Sequence, residues 1–417
     1  MKILVIIVKD KNKKETAYGY EYESEEIKSL LTTYYKNPIF SEILVKIDKP
    51  NSSLYIGKGK AEEIRNKIKT ENCAMAVINI TLTQRQQRNL SEIFEAEVID
   101  KTFLILEIFR QRARSEEGKL QVELARLKYE LSKITGHGVS LDQQYGAVGV
   151  RGGAGERKID YDRRFLRDRI SFLNSKILSV KKTREIQRKK RLNVPMPVIS
   201  IVGYTNAGKS TLLNSLSKKN DIYADNKLFA TLDPTSRKVM IKKGFFAVFT
   251  DTVGFINNLP HLLISAFSAT LEEIKYSDLI IHLHDSTAEI EEQNMVVKKT
   301  LKEIGADKIP LLNVFNKIDL VPDTNRIKSA FQNLEPIFIS AKEKIGLDNL
   351  LSEIDKKLSL KWKEVELELK DFKNINEIKK NYFIIDEKYL PNKAIIKLKI
   401  TEENYLKLSN LIAKPTK

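Results

Sequence analysis

The sequence predicts a multidomain α/β protein: an N-terminal α/β domain, a long antiparallel helical hairpin, a P-loop domain with a mostly parallel sheet, and a small C-terminal α/β piece. Three observations predict it. Residues 1–112 alternate short β-branched runs with helix-like runs, the pattern of a mostly parallel sheet covered by helices. Two apolar seams spaced 4, 3, 4, 3 flank a glycine-rich stretch that neither helix could include. Residues 203–210 form a glycine-bracketed loop between an apolar strand-like run and a helix-like run. The expected boundaries are 1–112, 113–195, 196–358 and 359–417.

Within the first domain, residues 3–8, 43–47, 74–80 and 97–99 read as strands, and residues 25–35, 60–69, 85–95 and 103–112 as helices. The next segment changes period. Leu120, Leu124, Leu127, Leu131 and Ile134 make one narrow seam, and Leu166, Ile170, Leu173, Ile177 and Val180 repeat it. An antiparallel hairpin with a glycine-rich tip is the simplest account. The tip is Gly146-Ala147-Val148-Gly149-Val150-Arg151-Gly152-Gly153-Ala154-Gly155-Glu156. No strand precedes it, which argues against a dinucleotide fingerprint. Two readings stay open: a loop whose backbone approaches a ligand or RNA closely, and a plain hinge. Pro195 and Pro197 then break the chain. Residues 359–417 hold the single tryptophan, Trp362, and alternating runs such as 394–400, without a functional motif.

Composition bounds the class. With 42% hydrophobic and 30% charged residues over 417 positions, a soluble globular protein of several domains is expected. The single cysteine, Cys73, excludes an internal disulfide. No apolar run approaches the length of a membrane span, and residues 3–8 are too short for a signal-peptide core. A cytoplasmic monomer is the expectation. The formal net charge is +17, and residues 151–191 alone hold fifteen Lys/Arg against five Asp/Glu. Contact with nucleic-acid phosphates is the favoured reading, a solvated basic helix the alternative. The candidate RNA contacts are Arg151, Arg157, Arg163, Arg164, Lys181, Lys182, Arg188, Lys189, Lys190 and Arg191.

The richest chemistry begins at Gly203-Tyr204-Thr205-Asn206-Ala207-Gly208-Lys209-Ser210. Glycines let backbone N–H groups turn toward a phosphate chain, and the helix that follows adds its positive dipole end. Lys209 is placed to bridge β- and γ-phosphates, and Ser210 to put its hydroxyl on Mg²⁺. Residues 246–250 lead into Asp251-Thr252-Val253-Gly254. Asp251 can hold Mg²⁺ through a water, and the Gly254 N–H can face a γ-phosphate. Residues 311–315 lead into Asn316-Lys317-Ile318-Asp319. The Asp319 carboxylate can accept from the N1–H and 2-amino group of guanine, a donor pair that adenine lacks. Asn316 would fasten the base pocket, and the Lys317 stem could cover the base. Residues 337–339 lead into Ser340-Ala341-Lys342, whose backbone N–H groups can reach guanine O6. All four motifs follow apolar strands in the order a P-loop GTPase domain requires, and they resemble the translation-factor-related class of such enzymes. GTP and GDP are the expected ligands, with Lys209, Thr231 and Gly254 as the catalytic set.

Thr231 belongs to Phe229-Ala230-Thr231-Leu232-Asp233-Pro234-Thr235. A threonine here would complete the Mg²⁺ shell when the γ-phosphate is present, making a switch that GTP orders and hydrolysis releases. Thr231 is preferred because Phe229-Ala230-Thr231-Leu232 resembles the Phe-Thr-Thr-Leu segment of Obg-like GTPases; Thr235 is the alternative. Phe255 stands where many GTPases carry a glutamine that orients the attacking water. It has no hydrogen-bonding group, so hydrolysis is expected to be slow without a group from elsewhere. Asn206 resembles the asparagine that helps hold a potassium ion in GTPases of the tRNA-modification type, which makes K⁺ a second candidate cofactor; a turn residue is the other reading.

Upstream, the chain resembles the HflX family of ribosome-associated GTPases. The matching stretches are Ile56-Gly57-Lys58-Gly59-Lys60, Val98-Ile99-Asp100-Lys101-Thr102, residues 117–125, the tip from Gly149 to Glu156, Asp162-Arg163-Arg164, and residues 203–210 with 229–235. Ala154 replaces a proline often found in that family's tip, and Lys101 an arginine. The resemblance implies binding to the large ribosomal subunit with the hairpin reaching toward rRNA, GTP hydrolysis stimulated by the ribosome, and in some members the splitting of stalled or idle ribosomes. An Obg- or Era-like assembly factor, or a GTP-dependent RNA-binding module acting without ribosomes, is the alternative.

Overall fold

The computed structural model describes every residue except 12–18, 136–153, 192–195, 218–234, 257–272, 370–374, 383, 392 and 414–417, and, within helices, the backbone alone at 135, 154–159, 181–191, 273, 377, 380 and 410–413. The described residues fall into two compact units, 1–180 and 181–417.

In the first unit, β1 (Lys2–Asp10), β2 (Ile39–Ile47), β3 (Met75–Ile78) and β4 (Glu97–Asp100) form a parallel sheet in the order β2-β1-β3-β4. Six consecutive residues of β1, Ile3 to Val8, are buried, as a parallel strand covered on both faces requires. The helices are α1 (Tyr20–Tyr34), α2 (Lys58–Glu71), α3 (Gln84–Phe94) and α4 (Lys101–Arg112). From α2 and α3, Ile64, Ile68, Leu90 and Phe94 pack in one core with Leu4, Ile6 and Val98 of the sheet. The sequence places a strand over 74–80, but β3 stops at Ile78. Asn79 instead turns its side chain onto β1, accepting from Val8 N at 2.8 Å and donating to Val8 O at 3.2 Å.

The hairpin is present as α5 (Glu116–Thr135) and α6 (Ala154–Arg191). Leu124 packs with Leu173 and Ile177, flanked by Leu120, Leu127 and Ile170. Arg169 pairs with Glu123 at 2.8 Å and Arg163 donates to the Ile134 carbonyl at 3.2 Å, so later residues of α6 meet earlier residues of α5 and the arms are antiparallel. Asp100 anchors α5 to the sheet. Its carboxylate is fully buried. It accepts from Phe103 N (2.8 Å), capping α4, from Leu82 N (3.2 Å), and from the Tyr129 hydroxyl of α5 at 2.9 and 2.8 Å. Lys133 stands 3.5 Å away. A buried carboxylate is tolerated because donors surround it.

In the second unit, β5 (Val198–Gly203), β6 (Thr235–Lys242), β7 (Phe245–Asp251), β8 (Leu279–Asp285), β9 (Leu311–Asn316) and β10 (Ile337–Phe338) form a sheet in the order β10-β9-β8-β5-β7-β6. Every pair is parallel except β6 with β7. Its helices are α7 (Lys209–Leu216), α8 (Ile290–Glu303), α9 (Thr324–Ala330) and α10 (Leu347–Leu358). The C-terminal piece is an antiparallel sheet of β11 (Trp362–Leu369), β12 (Ile384–Leu390) and β13 (Lys393–Thr401), ordered β11-β13-β12, with α11 (Ile375–Asn381) and α12 (Glu402–Ala413). It is built into the larger sheet's edge. Trp362 is buried in the core that holds Phe245 and Phe249, its ring 6.1 Å from that of Phe245. Buried Lys399 of β13 pairs with Asp355 of α10. Gly244, at φ +76° between β6 and β7, lies where a Cβ would stand 2.5 Å from the Ile384 carbonyl oxygen.

Candidate nucleotide site

Four loops converge at the C-terminal ends of β5, β7, β9 and β10, the end of an open α/β sheet where ligands bind. Gly203 closes β5 so tightly that a Cβ there would stand 2.3 Å from the Leu283 carbonyl oxygen. The chain then bends through Asn206 (φ +65°) and Gly208 (φ +94°) into α7. Gly208 is needed twice over. Its φ favours glycine, and a Cβ would stand 2.3 Å from the Asn316 side-chain nitrogen. Asn316 is the fastener of the site. Its amide donates to Ala207 O at 2.8 Å and accepts from Ala341 N at 2.9 Å. One buried side chain thus ties the phosphate loop to the loop Ser340-Ala341-Lys342.

Lys209 is buried and donates to Gly203 O (3.2 Å) and Tyr204 O (2.8 Å), which curls the loop around its ammonium. Burial pushes its pKa down to about 8, opposed by the charge of Asp251. Ser210 donates to the Asp251 carboxylate at 2.6 Å. Two hard oxygen donors therefore meet beside the loop, with no softer ligand, a set that suits Mg²⁺. Thr252 donates its hydroxyl to Ile201 O at 2.8 Å, so that hydroxyl serves the turn. Gly254 has no room for a side chain: a Cβ would stand 2.7 Å from Thr205 Cγ2 and 3.0 Å from Lys209 Nζ. Buried Thr205 leaves its Oγ1 without a hydrogen-bond partner. Phe255 is buried and pairs by backbone with the loop, its N donating to Gly203 O (3.1 Å) and its O accepting from Thr205 N (2.8 Å).

At the base end, Lys317 takes φ +65° and its ammonium reaches Asp285 at 2.6 Å, which stretches its stem across the loop. Ile318 is fixed by its N–H on Ile339 O at 3.3 Å. Asp319 is exposed, as is Lys342. Asp285 was not singled out from the sequence. Its signal is there, an aspartate ending the apolar strand β8 as Asp251 ends β7.

The switch residues Phe229, Ala230, Thr231, Leu232 and Asp233 lie outside the described residues. Thr235 begins β6, opposite Asp251 in the antiparallel ladder. The tip and Arg151 are likewise outside the description. Arg157, Lys181, Lys182, Arg188, Lys189, Lys190 and Arg191 lie on α6 where the backbone alone is described. Arg164 is exposed; Arg163 caps α5 from within the hairpin. No group of three or more His, Cys, Asp or Glu able to hold a metal occurs among the described residues. No helix among them is long and apolar enough to cross a membrane.

A phosphate loop opening a helix, an Asp–Ser oxygen pair and an Asn-Lys-Ile-Asp loop on one parallel sheet define a P-loop GTPase. Family models described as "GTP-binding GTPase N-terminal", "GTP-binding GTPase Middle Region" and "50S ribosome-binding GTPase" match residues 21–110, 112–191 and 198–317. The GTPase HflX of Caldanaerobacter subterraneus is 43% identical over 371 residues, covering 87% of this chain and 84% of that protein. That of Escherichia coli is 40% identical over 313 residues, covering 74% and 73%. A GTP-binding protein of Sulfolobus solfataricus, solved with GDP, is 29% identical and covers 86% of this chain and 99% of its own, with a TM-score of 0.44. The chain belongs to the HflX family of GTPases and is a GTP-hydrolysing enzyme.

Proposed function

We propose that this enzyme is a GTP-switched factor of the large ribosomal subunit. Lys209 and the loop N–H groups hold the phosphates, Ser210, Asp251 (through water) and Thr231 hold Mg²⁺, and Asp319 reads guanine. The observation that carries the nucleotide assignment is the Lys209–Asp251–Ser210 cluster beneath a loop fastened by Asn316. Thr231 is preferred to Thr235 as the third metal ligand, because Phe229-Ala230-Thr231-Leu232 resembles the Phe-Thr-Thr-Leu segment of Obg-like GTPases. When bound, the metal supplies charge to the β- and γ-phosphate oxygens. Phe255, buried and bonded into the loop, offers no group to the attacking water, so hydrolysis waits for one from the ribosome. The ribosomal partner is supported by the matched 50S ribosome-binding GTPase description and by the basic residues of α6.

In this reading GTP orders the switch and favours subunit binding, hydrolysis releases the subunit, and binding of the GTP state splits ribosomes. Sedimentation with purified large subunits, using a non-hydrolysable GTP analogue or GDP, tests it. Pelleting in the analogue state and loss with GDP are expected; equal pelleting in both states, or none, would sink the reading. Preference for immature particles over mature subunits would instead mark an assembly factor. Rising salt is expected to weaken binding steeply as phosphate contacts are lost. Asp319→Asn is expected to shift preference from guanine to xanthine nucleotides at least tenfold, and unchanged selectivity refutes the base pocket. If exposed Asn206 holds potassium, replacing K⁺ by Na⁺ slows turnover.

A further inference from the structure

We propose that one face of α6, from Tyr161 to Lys176, is a stacking platform for unstacked RNA bases. The proposal rests on the reading that this chain binds ribosomal RNA, and adds base contacts to the phosphate contacts of the basic segment.

Tyr161, Phe165 and Phe172 are 70%, 61% and 47% exposed. Phe165 and Phe172 are the exposed phenylalanines among the described residues. Spacings of four and seven put the three rings on one face, about a third of a turn from the seam of Leu166, Leu173 and Ile177 that packs on α5. Neither the packing of the hairpin nor helix propensity calls for rings here, since aromatics are mediocre helix formers. Two cations flank Phe172, and Asp168 is the exposed carboxylate nearest the rings on that face. The Arg169 guanidinium carbon lies 5.4 Å from the Phe172 ring centroid, and Lys176 Nζ lies 4.9 Å from it on the same exposed face. Glu123 of α5 steadies Arg169 at 2.8 Å, so this cation is held in place beside the ring.

The rings offer π-faces to bases, and the flanking cations offer charge to the phosphates on either side. That pairing of aromatic and cation recognises single-stranded or looped-out RNA rather than a regular duplex. Charge complementarity favours RNA over an apolar protein partner: residues 151–191 carry fifteen Lys/Arg and five Asp/Glu. The stripe is about 22 Å long, at about 1.5 Å per residue, enough for several nucleotides.

The test measures affinity of the full chain, bound to a non-hydrolysable GTP analogue, for purified large subunits across a salt series. Tyr161→Leu/Phe165→Leu/Phe172→Leu keeps helix propensity and apolar area but removes the π-faces. It is expected to bind roughly tenfold to a hundredfold more weakly, with the salt slope unchanged. Phe172→Trp is expected to retain affinity. Arg169→Gln is expected to lower the salt slope by about one. Thermal melts of the variants control for folding. If the unaltered chain binds and the triple variant binds equally, the platform is wrong and the ribosomal reading stands. If the variant is weakened on intact subunits but not on protein-free rRNA, the face meets a ribosomal protein and the proposal is overturned. If the unaltered chain does not bind subunits in either nucleotide state, the ribosomal reading fails and the platform with it.

Discussion

Lys209 shows how one residue can be tuned by its enclosure. The loop carbonyls of Gly203 and Tyr204 accept from its ammonium, yet burial still pushes its pKa down to about 8. A phosphate chain beside it would favour the charged form and raise that value. GDP affinity measured by calorimetry is therefore expected to hold up to about pH 8 and fall about tenfold per unit above it. A flat profile to pH 9.5 would remove Lys209 from the phosphate site. Lys209→Ala is expected to lose affinity at every pH. Two buried histidines weaken the fold in acid. His282 and His284 are buried in β8 with ring centroids 3.8 Å apart. Burial pushes His284 down to about 4 and His282 well below the usual histidine value. Below about pH 6.5 the unfolded chain takes up protons that the folded chain refuses, so stability is present above that pH and is lost as pH falls toward about 4. His284→Phe is expected to flatten the acid limb by roughly 3 kcal/mol, read from urea midpoints against pH. An unchanged acid limb would contradict this.

At the scale of elements, the sheet, the α4 N-terminus and the hairpin meet at Asp100. Asp100→Ala leaves the Tyr129 hydroxyl and two backbone N–H groups without their acceptor, and is expected to destabilise the first unit by about 3 kcal/mol. Tyr129→Phe removes one donor and is expected to cost about 1 kcal/mol. Hydrogen exchange along α5 checks both, because these bonds tie that helix to β4. Sequence and structure agree on the elements here for a plain reason. Periodicity records which residues each helix and strand must bury, so both hairpin seams and the first four strands were legible. The end of β3 was not, because Asn79 exchanges a strand position for side-chain bonds to Val8, a residue 71 positions away.

For the whole molecule, the C-terminal piece changes character once folded. Its sequence has no motif, but Trp362 completes the core of the GTPase domain and Lys399 reaches Asp355. Trp362→Ala is expected to lower the stability of the GTPase domain by about 3–5 kcal/mol. A chain ending at residue 358 is expected to melt at a lower temperature than the full chain in the same buffer, and an equal midpoint would show that the piece contributes no stability.

The sequence by itself determined the nucleotide chemistry. Phosphate, metal and guanine recognition need particular residue types at short spacings, and residues 203–210, 251–254 and 316–319 carry them as local patterns that any fold must honour. The tertiary structure alone decided how those patterns combine. That Asn316 fastens Ala207 to Ala341, that Asp285 takes Lys317, that Arg163 caps α5, and that Trp362 belongs to another element's core all depend on residues distant in sequence. Such contacts leave no periodic trace, because each is a single pairing set by the packing of whole elements.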